Sequence, residues 1–151
     1  MQPDFDLELQ LILFNFYQLG VALLLSLPLA LNREHGSRDA RGAGLRTFPL
    51  VTIASCAFML VAMSVYPTAE AQGRVMYGVI TGIGFIGGGA IVKEANRVGG
   101  TATAAGIWIT GAIGISVAYS RYEIALTLSL FSFLIFQFFS YFKRKDDCSK
   151  E

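Results

Sequence analysis

The sequence predicts an all-α polytopic membrane protein: a bundle of about five transmembrane helices with the amino terminus outside the cytoplasm and the carboxyl terminus inside. Three observations carry this expectation. Hydrophobic residues make up 54% of the 151 residues and charged ones only 15%, a balance that suits lipid rather than water as solvent. The apolar residues gather in five long runs, and the short segments between them hold almost every charge. Finally, the lysines and arginines fall overwhelmingly on one set of connections.

The chain opens on MQPDFDLELQ, with three acids and no Lys or Arg. It therefore lacks the basic start of a secretory signal peptide, and the first apolar run is expected to stay attached. That run covers residues 11–31. At about 1.5 Å per residue it crosses a hydrocarbon core of about 30 Å. Helix two is placed at 49–66, helix three at 75–92, helix four at 102–119 and helix five at 123–142, with a charged tail at 143–151. Strand-like alternation is absent, and a helix is the other way to satisfy every backbone group in hydrocarbon. In helix four Ala102, Gly106, Thr110, Gly114 and Ala118 recur at every fourth position, which lays a groove of small side chains along one face. Gly106, Thr110 and Gly114 are its packing residues. Helix three offers Gly78 with Gly82, and Gly84 with Gly88, at the same spacing. Such grooves let backbones approach, so helices three and four are expected at the centre of the bundle. Helix five is crowded with Leu and Phe and suits a lipid-facing place.

Orientation follows from the cations. Loop one carries Arg33, Arg38, Arg41 and Arg46, loop three Lys93 and Arg97, and the tail Lys143, Arg144, Lys145 and Lys150. The other side holds only Arg74 and Arg121. The crowded side is expected to be cytoplasmic, which after five crossings leaves the amino terminus outside.

The pattern offers little for catalysis. His35 is the single histidine, so no multi-histidine metal site can form, and no Ser, His and Asp set or phosphate loop is present; no enzyme is expected. Cys56 lies in an apolar run and Cys148 in the tail, at different depths, and both are read as free thiols. Gly82-Ile83-Gly84-Phe85-Ile86-Gly87 matches the dinucleotide fingerprint letter for letter, but lacks the preceding strand, the amphipathic helix and the downstream acid that give it meaning. Helix packing is its plain reading, and an unwound stretch lining a cavity the functional one. Arg33 with Glu34 at the end of helix one, and Arg46 with Thr47 at the start of helix two, converge at one membrane level. They form either an anion or ion-pair site, or a structural anchor. Asn15, Gln18 and Gln137 are read as polar glue between helices. No Asp, Glu, Lys or Arg falls near a helix midplane, which argues against a pump holding a divalent cation there. Asn32 and Glu34, at the rim, are the weak candidates for a metal.

Ala43-Gly44-Leu45-Arg46-Thr47, followed by Thr81-Gly82-Ile83-Gly84-Phe85-Ile86-Gly87-Gly88-Gly89-Ala90-Ile91, resembles the MgtC/SapB family of bacterial inner-membrane proteins. Asn32-Arg33-Glu34 is similar to that family's Glu-Arg-Glu/Gln signature, and Thr101-Ala102-Thr103-Ala104-Ala105 with Trp108 to its threonine-rich start of helix four. The resemblance covers nearly all five helices, as a membrane domain without the soluble carboxyl-terminal domain of the best-known members. Asn32 stands where many members have Glu, Gly78 where they often have Gln, and the loop before Ala43 is a few residues longer. The resemblance implies a multi-pass protein of the bacterial inner membrane with a role in adaptation to low magnesium or envelope stress. It further implies, for some members, restraint of the F-type ATP synthase through membrane contacts. No cofactor is expected, magnesium entering only as ligand or signal, and no nucleic acid. Two functions follow. One is a regulator acting through helix contacts with a homo-oligomer or another membrane protein. The other is an oligomeric ion transporter or channel with the glycine-rich helix three lining its path and Asn32 or Glu34 at the inner mouth.

Overall fold

The computed structural model describes residues 5–36, 44–94 and 97–147, with side chains over 8–33, 44–93 and 98–138. Five helices and one small hairpin follow in order: α1 Phe5–Gly36, α2 Thr47–Val65, α3 Ala69–Gly89, β1 Val92–Glu94, β2 Arg97–Gly99, α4 Thr101–Ala118 and α5 Tyr122–Asp147. The side chains of Glu34, His35 and the basic tail, the cations at 38 and 41, and Cys148 lie outside the described residues.

Local chemistry sets the boundaries. Pro67 forces Tyr66 into extended geometry, φ −108° and ψ 117°, and α2 stops at Val65. Thr68 then caps α3, its hydroxyl accepting from the Ala71 N–H at 3.3 Å. Between α3 and α4 the chain forms an antiparallel pair, Val92 opposite Gly99 and Lys93 opposite Val98, where a plain loop was expected. Gly100 closes this hairpin at φ +84°, in the left-handed region, and a Cβ there would overlap the Ala90 carbonyl oxygen. Helices three and four begin at 69 and 101 rather than 75 and 102, and α5 runs on to Asp147 rather than ending at 142.

The packing places α4 in the middle, with α3, α2, α1 and α5 arranged in an arc around it. Its closest neighbour is α2. A Cβ added to Gly114 would overlap the Thr52 carbonyl oxygen and come within 3.0 Å of the Cys56 N–H, so the two backbones touch. Thr52 and Ser55 turn their hydroxyls back to their own helix, onto the carbonyls of Phe48 and Val51, and so present no unmet polar group at this seam. One apolar cluster joins Ala22, Cys56, Met59, Ile113 and Val117; a second joins Leu29, Phe48, Val51, Ile83 and Ile107.

The expectation for the centre is therefore half right. Helix α4 is central, but α3 is not: only its Ile83 and Gly87 are buried, and α2 takes the second central place. The physical reason is that Thr52, Ser55 and Cys56 give α2 a small-residue face of its own, which meets Gly114 more closely than α3 does. Helix α5 leaves Leu126, Leu130, Phe131, Leu134 and Phe138 exposed, as a lipid-facing helix does.

Among the described residues, Glu8–Arg33, Thr47–Val65 and Thr101–Ala118 are long and apolar enough to cross a membrane, and Tyr122–Phe138 is a shorter apolar stretch. Helix α3 is long enough at 21 residues but is diluted by its glycines. The molecule is an all-α membrane bundle.

Candidate functional site

At one end of the bundle the last turn of α1 meets the first turn of α4. Arg33 donates from Nε at 3.1 Å and from Nη2 at 2.6 Å to the Thr103 hydroxyl, which is buried in the third position of α4. Beside it Asn32 donates from Nδ2 to Gln137 Oε1 on α5 at 2.5 Å. Helix α1 is thus tied at one level to α4 and α5, both distant from it in sequence. Among the described groups the charge there is positive. A guanidinium sits next to the amino-terminal end of α4, whose unpaired N–H groups carry partial positive charge, and Gly100 offers no side chain to cap them. Such a corner attracts anions and repels cations. Asn32 has already committed its amide N–H to Gln137, and the side chain of Glu34 lies outside the described residues. Among the described residues no group of three His, Cys, Asp or Glu could hold a metal ion.

The other residues singled out from sequence are dispersed. Gly44 is buried and its carbonyl accepts from the Phe48 N–H at 3.1 Å, which starts α2. Arg46 is exposed at the helix start and Thr47 half-buried, while the described contacts of Arg33 run to Thr103. Thr101 is exposed. On α3, Gly87 lies against α4, where a Cβ would stand 3.2 Å from the Ala104 carbonyl oxygen; Gly82 and Gly84 face open space. Trp108 is exposed and lines a cleft of about 190 Å³ between α3 and α4 with Met76, Ile80 and Ala112. Gly106 accommodates the Phe48 ring, 2.7 Å from where its Cβ would be, and Thr110 donates to the Ile107 carbonyl at 2.7 Å.

At the opposite end Gln18, read from sequence as glue between helices, is the centre of a second polar cluster whose other members, Ser120 and Tyr122, sequence reasoning did not name. Gln18 is fully buried; its Oε1 accepts from the Tyr122 hydroxyl at 2.7 Å and its Nε2 donates to the Ser120 Oγ at 3.2 Å. Ser120 has φ +56°, a turn conformation unusual for a residue with a Cβ. The signal was the Ser120-Arg121-Tyr122 triplet at the turn between two apolar runs, which could have been paired with the amide on helix one.

Comparison with known proteins gives one family. The MgtC family model matches residues 19–145. The protein SrpB of Synechococcus elongatus is 33% identical over 141 residues, covering 85% of this chain and 76% of its own length. The putative magnesium transporter YhiD of Escherichia coli is 35% identical over 106 residues, 66% of this chain and 49% of its own. The protein MgtC of Salmonella typhimurium is 31% identical over 125 residues, 82% of this chain and 52% of its own. The chain thus spans about half the length of the last two relatives. No solved structure matches it.

Proposed function

The chain belongs to the MgtC family, and from that membership we propose that it is a non-enzymatic regulator, multi-pass in the bacterial inner membrane, that serves adaptation to magnesium limitation by docking a helix of a membrane partner. The observation that carries this reading is where the small residues are spent. Those of α4 are consumed inside the protomer, Gly114 against α2 and Gly106 against Phe48 and Phe136. On α3, by contrast, Tyr77, Thr81, Gly84 and Gly88 follow one another at helical spacing along a single exposed face. Nothing lies within 4 Å of a Cβ at either glycine. Such a face lets a second helix approach closely in lipid, where packing rather than hydrophobicity drives association. The distribution of cations supports an orientation with the carboxyl terminus in the cytoplasm.

The transport reading gains less. The name of YhiD speaks of magnesium, but the described side chains at the corner of Arg33 and the start of α4 carry the wrong sign for a divalent cation, and the polar groups buried among the described residues are hydroxyls and the Gln18 amide, with no carboxylate. The test has two arms. Purified protein in proteoliposomes is expected to show no saturable magnesium flux, whereas Gly84→Leu and Gly88→Leu are expected to abolish rescue of growth in low magnesium and co-purification with the membrane partner, at unchanged thermal stability. The F-type ATP synthase is the first partner to test, and self-association the second. Saturable flux that disappears in Glu34→Ala or Asn32→Ala would establish the transporter instead.

A further inference from the structure

A second feature of α3 lies on a different face. Between α2 and α3 runs a lateral groove of about 690 Å³, inside the range of about 300–1,000 Å³ typical of small-molecule sites, with Leu50, Ala54 and Phe58 on one wall and Gly78, Gly82 and Ile86 on the other. The two glycines make it deep, for nothing stands within 4 Å of a Cβ at either. Ser55 is the one polar side chain in the lining, and its hydroxyl is already bonded to the Val51 carbonyl at 2.7 Å. The groove therefore offers shape and apolar surface but no hydrogen-bonding group.

Its length and its ends identify what fills it. Along α3 the lining runs from Val75 to Ile86, twelve residues or eleven helical steps. That is about 16 Å of helix, close to half of a hydrocarbon core of about 30 Å. A transmembrane helix of a partner needs the whole thickness; the acyl chain of one leaflet needs half. The ends also differ in charge. Arg46 precedes Leu50 by one helical turn in a helical backbone conformation, so it stands over the groove's wall, and Lys93 follows α3 on the first strand of the hairpin at the same end. Both are exposed and neither is in an ion pair with a described residue. At the other end Arg74 is already paired to Glu70 at 2.7 Å. Apolar depth of one leaflet, with exposed cations at its headgroup end that pair with no described residue, is the pattern of an anionic phospholipid.

We propose that the groove between α2 and α3 is a binding site for one anionic phospholipid, one of its two acyl chains lying between Phe58 and Gly82 and its phosphate held by Arg46 and Lys93. This site is separate from the Gly84 and Gly88 face, and stands whether or not a partner helix docks there.

The test is native mass spectrometry of the purified full chain with phosphatidylglycerol and with phosphatidylcholine. One phosphatidylglycerol is expected to be retained at least tenfold more tightly than phosphatidylcholine, and excess inorganic phosphate is expected not to displace it. Arg46→Gln with Lys93→Gln should remove the preference between lipids. Gly78→Leu with Gly82→Leu should lower retention of both. Since the glycines have room for side chains, this variant is expected to fold; Ala54→Phe fills the groove from the opposite wall and must give the same loss. Equal retention of the two lipids, or retention of phosphatidylglycerol unchanged by either groove-filling variant, would overturn the proposal. A dimer that dissociates when the groove is filled would overturn it as well, by making a second copy the occupant.

Discussion

At the residue scale the fold rests on a few positions where no larger side chain fits. Gly114 is the clearest, since a Cβ there overlaps a backbone oxygen of α2 rather than the flexible end of a side chain. Gly114→Leu is expected to lower the melting temperature in detergent markedly, because overpacking of about 1–3 kcal/mol is a floor when the obstacle is backbone. The same substitution at Gly84, with open space around it, should leave the melting temperature near wild type; equal effects at both sites would refute the close crossing. Gly100→Ala combines a left-handed φ with an overlap on Ala90 and should cost more than the roughly 1 kcal/mol of an ordinary glycine replacement. The Arg33 and Thr103 contact is checked by a double-mutant cycle. Thr103→Val should cost about 1.5 kcal/mol, as for a hydrogen bond to a charged group, and should cost nothing further once Arg33→Gln is present.

At the element scale the polar ties explain why the arc holds its register. Arg33 and Asn32 fix one end of α1 to α4 and α5, and Gln18 fixes the middle of α1 to the turn between α4 and α5. Gln18→Leu removes the bonds to half-buried Tyr122 and exposed Ser120, and a loss of about 1 kcal/mol is expected, read as a lower unfolding temperature. These elements also show what sequence can and cannot convey. The apolar runs were legible because crossing a bilayer demands about 20 apolar residues whatever the neighbours. The glycine spacing of α4 was legible as a place of close approach, but not its partner: Thr52, Ser55 and Cys56 of α2 obey the same small-residue rule as the glycines of α3. Only the three-dimensional arc separates them. The hairpin stayed hidden because strands of three residues carry too little alternation to register. Of the candidate site, Arg33 and Thr103 were named separately, and their contact across 70 residues of chain could not be read from either segment alone.

At the scale of the whole molecule the orientation inferred from the cations can be checked in intact cells. Cys148 is expected to react with a membrane-impermeant maleimide only after the inner membrane is opened, and labelling from the periplasm would reverse the topology. The position of α4 has a further consequence for biogenesis. The helix that every other helix leans on is the fourth to leave the ribosome, so α1, α2 and α3 enter the bilayer before their common support exists. Assembly must wait until α4 is complete at Ala118 of 151 residues, leaving three early segments exposed to the quality-control machinery in the meantime. A nascent chain halted before Thr101 is accordingly expected to be degraded quickly, and one halted after Ala118 to survive; pulse-chase of the two truncations would measure the difference.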